Sequence, residues 1–374
     1  MFIKFNGERL RLARLLRGLT LQEVGDAVSL TRQSINQYET DVRAPAPDVL
    51  NALAELLCVN PEFFEMPLVG DVKPEQCHFR KRQTTPVVIK NRVQSYATIL
   101  EQLVSLLREH LDLPENKFHI IDNGKIDSYT SVMIEKIAEG ARERWGLSKN
   151  APIDDMIYVA ENLGAVVTYF EGVSDKIDAL SVNRKFPLII RNIAKESVCR
   201  MRFDIAHEMG HLVLHNGIET GCKQTEKEAD TFASAFLFPR ESFVREFSLC
   251  VGYRGINWDA VYKLKARWKM SAKAIIYRAH YLGLINAQQY RSANVWFSQT
   301  RQNRRERGDE NIPFETPSVL ADSIEILKTE LGISFAMLSK KLGIQPSLLS
   351  EITGIELVGE KMVPDDDIVI PFNF

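Results

Sequence analysis

His207 and His211 stand four residues apart in an otherwise largely apolar stretch, and this spacing constrains the chain more than any other feature. Four residues is close to one helical turn, so a helix puts both imidazoles on one face. Glu208 follows the first histidine directly, in the run His207-Glu208-Met209-Gly210-His211. Two imidazoles sharing a face can bind one zinc ion, and the neighbouring carboxylate can take a proton from a water polarised there. Phe203, Ile205, Ala206, Leu212 and Leu214 would bury such a helix and keep the ligands rigid.

A zinc site needs a third protein ligand. His215 fails on distance, since eight residues of helix separate it from His207 by ~12 Å along the axis; it reads as a polar-face or helix-end residue. The stretch from Thr225 to Ala233 is better placed. Glu226 and Asp230 lie at i and i+4, so one carboxylate can bind metal while the other accepts the N–H of a ligand histidine. Ala229, Phe232 and Ala233 would let this helix press against the first. Glu228 is the alternative ligand, although it points away from Glu226 on the helix.

The remaining composition narrows the class. With 374 residues, 45% hydrophobic and 26% charged, the chain reads as globular, with two or three domains. Its five cysteines are scattered and odd in number, against both a disulfide framework and a cysteine zinc site. No apolar run is long enough to span a membrane and no signal peptide is visible, which predicts a cytoplasmic protein. Helical periodicity dominates. β-branched runs at 165–170 and 188–190 predict strands, giving a mainly α protein with a small β-sheet in the metal-binding domain (α+β). The predicted organisation is a helix-turn-helix bundle at 1–66, a linker and helical segment at 67–128, a zincin-like core at 129–290 and a helical extension at 291–374. The charged stretch 301–311 reads as a solvated loop or helix surface. Residues 333–349 resemble a helix-turn-helix only loosely.

The N-terminal bundle carries a second chemistry. Thr20 and Glu23 form a capping box, and Thr31 caps a helix at 32–39 with Ile35 and Tyr38 inward. On the preceding helix Leu10, Ala13 and Leu16 face inward, leaving Arg9, Arg11, Arg14 and Arg17 largely outside. On the helix at 32–39, Arg32, Gln33 and Asn36 then face outward, and these side-chain types pair with guanine and adenine edges. Thr31 stands at the same helix end, while Gln22 and Arg43 are placed to reach phosphates. The net charge of −2 argues against nucleic acid taken alone, but residues 1–43 hold seven Lys and Arg against five acids. Lys73, Arg80, Lys81, Arg82, Lys90 and Arg92 add a second basic stretch. The plainer alternative is a helical bundle that binds protein.

Residues 7–64 resemble the Cro/repressor-type (XRE) helix-turn-helix family: Gly25 at the helix crossing, Ile35 in the core, and Arg14 and Glu39 as an internal ion pair. Ser29 and Asp41 replace glycines common in that family, which predicts local distortion with the fold retained. Residues 130–285 resemble the ImmA/IrrE zinc metallopeptidases. That resemblance implies zinc on His207, His211 and Glu226, Glu208 as general base, and cleavage of a repressor protein. It leaves the oxyanion stabiliser open among Tyr158, Tyr169, His215, Arg200 and Arg202, and suggests that a peptide adds as a strand beside residues 179–183. Two functions follow. One is a DNA-binding zinc endopeptidase acting on a regulatory protein; the other is a transcription factor or antitoxin-like regulator whose peptidase-like domain is a sensor or interaction platform. Both imply a double-stranded operator and a homodimer.

Overall fold

A computed structural model describes residues 5–73, 76–79, 86–119, 128–170, 179–192, 197–216, 218, 220–253, 255–303 and 305–355. The basic residues Arg80, Lys81 and Arg82 lie outside these. The architecture is mainly α with one four-stranded sheet and a short two-stranded ladder. No helix among the described residues is long and apolar enough to cross a membrane.

The chain begins with four short helices, α1 (Gly7–Leu16), α2 (Leu21–Ala27), α3 (Arg32–Glu39) and α4 (Pro47–Leu57). The Thr20 hydroxyl and the Glu23 side chain form the full capping box on α2, and Thr31 caps α3. Ser29 and Asp41 take left-handed backbone conformations, φ 57° and 54°, without disturbing the bundle. Asp41 Oδ1 accepts the Gly7 N–H at 2.8 Å, a bond that glycine could not supply. Gly25 is needed for a close approach, since a Cβ there would meet the Leu30 carbonyl oxygen at 2.7 Å.

Two of the four arginines expected outside α1 are buried instead. Arg9 is fully enclosed: its guanidinium lies 3.6 Å from the Phe63 ring centre and donates to the Phe63 carbonyl oxygen and to Gln102 Oε1. Arg14 forms a two-pronged pair with Glu39, at 2.5 and 2.8 Å. Hydrophobic periodicity misses Arg9 because its partners come from distant chain.

Beyond the bundle, β1 (Cys77–Phe79) leads to α5 (Val87–Leu107), α6 (Ser131–Arg144), α7 (Met156–Asn162) and the strands β2 (Val166–Phe170), β3 (Ala179–Val182) and β4 (Leu188–Asn192). The sheet order is β1-β3-β4-β2, with β2 parallel to β4 and the other pairs antiparallel. The segment read as a linker therefore supplies an edge strand. Its three residues carry no alternation long enough to register in the sequence.

Strand alternation divides two cores across this sheet. Val166, Val182, Leu188 and Ile190 join α1–α5 and three C-terminal helices, α14 (Val319–Leu331), α15 (Phe335–Leu342) and α16 (Pro346–Thr353). Val167 and Ile189 face the opposite core with α6, α7, α8 (Val198–Leu214), α9 (Lys223–Leu237), α10 (Arg240–Phe247), α11 (Trp258–Trp268), α12 (Ala272–Tyr281) and α13 (Ala287–Gln299). The region read as one C-terminal extension thus serves both cores. The turn between α15 and α16 docks on the end of α4: Asn60 N donates to the Gly343 oxygen at 2.8 Å and Gln345 N to the Cys58 oxygen at 3.0 Å.

Nor is the charged stretch at 301–311 wholly solvated. Glu306 and Asp309 are buried and accept from the buried Lys265 ammonium at 2.9 and 2.5 Å. Their partner lies about forty residues earlier, out of reach of local pattern reading.

Candidate metal centre and nucleic-acid interface

α8 and α9 cross closely because the contact residues are small. A Cβ on Gly210 would meet the Phe232 ring at 3.1 Å and the Ala229 backbone at 3.3 Å. That approach brings Glu226 of α9 against the histidine face of α8. His207 Nε2 and His211 Nε2 lie 3.1 Å apart. Glu226 Oε2 is 3.5 Å from the first and Oε1 3.4 Å from the second. Among the described residues these three form the group able to hold a metal ion.

The surrounding hydrogen bonds decide which nitrogens carry protons. His207 Nδ1 donates to Asp230 Oδ1 at 2.8 Å. Behind His211 runs a relay absent from the sequence reading: His211 Nδ1 meets His215 Nδ1 at 2.9 Å, and His215 Nε2 donates to Glu228 Oε2 at 2.8 Å. Glu228 Oε1 also accepts the Tyr129 N–H at 2.8 Å. Because the carboxylate accepts from His215 Nε2, His215 Nδ1 is left to accept and His211 Nδ1 to donate. Both Nε2 atoms face each other and the Glu226 carboxylate. Two imidazole nitrogens and a carboxylate converging in this way make a donor set that suits a metal ion. Glu226 Oε1, buried without a hydrogen bond, fits the same role.

Burial, together with its histidine neighbours, pushes His211 down to about 3, outweighing the raising effect of Glu226, so this imidazole is neutral near pH 7. Burial opposes the charge on Glu226, but its contacts with His207 and His211 prevail and hold the carboxyl well below its usual range. Burial likewise opposes Glu228, and the bonds from His215, Tyr129 and Gln224 prevail there too.

Glu208 is buried, and its Oε2 accepts from the Ser181 hydroxyl of β3 at 2.5 Å. That bond ties α8 to the sheet. His215 sits at the C-terminal end of α8, buried rather than on a polar face. Glu228, kept open as a metal ligand, turns to His215 instead. Sequence did hold a signal for the relay, since His211 and His215 are again four apart.

The five oxyanion candidates part company. The Tyr169 hydroxyl donates to the Glu315 oxygen at 3.0 Å, Arg202 is buried against Glu315, and His215 is engaged behind His211. Tyr158 is on an exposed helix face. Arg200 lines a cleft of about 360 Å³ that also includes Asp230 and Tyr277. Both sides of β3 are occupied, by β1 and β4, so a peptide could add there as a strand only where β1 gives way.

At the other end of the molecule Gln22, Thr31, Arg32, Gln33, Asn36 and Arg43 are all exposed. Arg32, Gln33 and Asn36 share the outer side of α3, whose inner side is Ile35 and Tyr38. Gln22 bonds to Asp26 at 2.7 Å, and Arg43 lies 5.6 Å from the Tyr38 ring centre.

Comparison with known families matches two stretches of the chain. The family model described as an IrrE N-terminal-like domain, a peptidase family, matches residues 160–280. A helix-turn-helix family model matches residues 10–64. The chain joins an XRE-type helix-turn-helix domain to an IrrE-like peptidase domain. Peptidases of this family are generally metal-dependent. No curated protein matches the sequence.

Proposed function

We propose that this chain is a DNA-binding regulator whose peptidase-like domain is a zinc endopeptidase acting on a regulatory protein, such as a repressor. The observation that carries the reading is the convergence of the His207 and His211 imidazoles with the Glu226 carboxylate, ligand atoms within 4.8 Å of one another, with Asp230 behind one imidazole and His215 behind the other. His207, His211 and Glu226 would hold zinc, which supplies Lewis acidity toward a water molecule and a peptide carbonyl. Asp230 orients His207, and the His215–Glu228 relay orients His211. Glu208, one residue from a ligand, accepts the proton of the attacking water and returns it to the leaving amine. Arg32, Gln33 and Asn36 read base edges of a double-stranded operator, with Gln22, Thr31 and Arg43 on the backbone, in a homodimer spanning two half-sites.

The test compares wild type with Glu208→Gln, each loaded with zinc and mixed with candidate XRE repressors. Cleavage by wild type alone supports the reading; cleavage by both, or by neither, overturns it. One observation favours a second reading, a regulator with a sensing platform and no proteolysis. The reader shares one continuous core with the sheet face behind the metal cluster, a route for coupling the two sites. In that case zinc binding changes operator affinity while no repressor is cut.

A further inference from the structure

We propose that the strand β1 is a resident occupant of the edge at which the site takes its peptide, so that the chain carries its own competitor. This rests on the peptidase reading above. The competing ligand is an extended polypeptide segment that pairs antiparallel with β3.

β3 borders the metal cluster, since its Ser181 donates to Glu208. One side of β3 is permanently paired with β4, leaving the other as the place where an extended chain can add main-chain bonds. β1 lies there, with Cys77 opposite Val182, His78 opposite Ser181 and Phe79 opposite Leu180. Asn183 N donates to the Gln76 oxygen at 3.1 Å. By the two-residue alternation of an antiparallel ladder, His78 and Ser181 are then the next pair to exchange hydrogen bonds. The chain's own backbone is thus engaged at the residue that contacts Glu208.

The hold is short and local. β1 has three residues, anchored by the buried Cys77 beside Val182. Just upstream, Arg184 Nη1 donates to the carbonyl oxygens of Gly70 and Asp71, both at 3.0 Å. A three-residue edge strand is the kind of pairing that a longer peptide displaces, because each added residue contributes further ladder bonds. The strand also lies in the segment that follows the helix-turn-helix. Its displacement would release part of the segment that connects the reader to the peptidase domain.

The test uses full-length protein without metal and a fluorescein-labelled synthetic peptide with the sequence of residues 73–82, read by fluorescence anisotropy. His78→Pro removes a ladder donor. A second variant with residues 76–79 replaced by alternating Gly and Ser keeps every backbone N–H, in case proline unfolds the sheet. Removing a resident competitor raises apparent affinity by the inverse of the open fraction, so both variants should bind at least about tenfold more tightly than wild type. Equal affinity in all three proteins, or no binding to any of them, overturns the proposal. Zinc titration of the same samples separates the two claims. Wild type that binds no zinc sinks the metallopeptidase reading, while normal zinc binding with unchanged peptide affinity sinks only the resident strand.

Discussion

The proposed DNA-reading face and the proposed metal cluster place their side chains in opposite ways. Arg32, Gln33 and Asn36 project from an exposed helix side, and the fold beneath them rests on Ile35, Tyr38 and the Arg14–Glu39 pair. In the cluster His207, Glu208 and His211 are themselves core residues, no more than 1% exposed, bonded to Asp230, Ser181 and His215 respectively. Function and stability are therefore separable at the first site and entangled at the second. A base-reading side chain must be free to meet DNA. A metal ligand must be held before the metal arrives.

The largest effect that would sharpen this contrast is on rate. Glu208→Gln should lower repressor cleavage by ~10²–10⁴-fold with zinc stoichiometry unchanged, as measured by gel assay and metal analysis. Next is a change that would break the contrast if buried residues of the reader behaved like its exposed ones. Arg14→Ala leaves Glu39 buried and uncompensated, and should cost ~3–5 kcal/mol in chemical unfolding of the N-terminal core while touching no DNA. Weaker again, His215→Phe removes the group that orients His211. Zinc affinity should fall ~10–100-fold in a chelator competition, with His211 still present. Arg32→Ala with Gln33→Ala should lose ~1–3 kcal/mol of operator discrimination per base contact in a binding assay, with thermal stability within ~0.5 kcal/mol of wild type. An unfolded double variant would show that the exposed face is structural after all.

The smallest expected effect concerns Glu161, which accepts the N–H groups of Ser318 and Val319 and so anchors the start of α14 to α7. Burial pushes its carboxyl up to about 7, the backbone donors notwithstanding. A carboxyl raised in the folded state favours folding most when protonated. Its contribution is full below about pH 4.5 and is lost as pH rises through about 7. Glu161→Gln should flatten the fall in melting temperature across that window. An unchanged pH profile would remove Glu161 as its source.

A second pair of regions carries a related lesson. α15 and α16, joined by Gly343-Ile344-Gln345, repeat the outline of α2 and α3: Ser334 caps the first helix as Thr20 does, and Gly343 turns at φ 70° where Ser29 turns at 57°. Yet α16 has no basic residue and buries Leu348, Leu349 and Ile352. Leu348 takes a position equivalent to Ser34, so this unit is built to pack. The loose resemblance visible in the sequence concerned shape alone.

Much of the geometry of the histidine–carboxylate cluster proposed to hold metal is legible in the sequence. The i, i+4 spacings of His207 with His211 and of Glu226 with Asp230 fix a helix face, and small residues at Gly210, Ala229 and Ala233 imply a close crossing. The capping box and the inward Ile35 and Tyr38 likewise placed the reader's outer face. What stayed hidden were contacts between distant segments: Arg9 with Phe63, Lys265 with Glu306, Ser181 with Glu208, His215 with Glu228 and β1 with β3. Periodicity reports which side of an element is apolar, and it says nothing of which polar partner waits there. Local spacing alone determined which residue types share a face at each of the two proposed sites. Only the tertiary structure decided which carboxylate meets the imidazoles, which one backs them, and which strand lies beside them. Those choices depend on how close two helices and a sheet can pack, a quantity summed over the whole core and absent from any short stretch of chain.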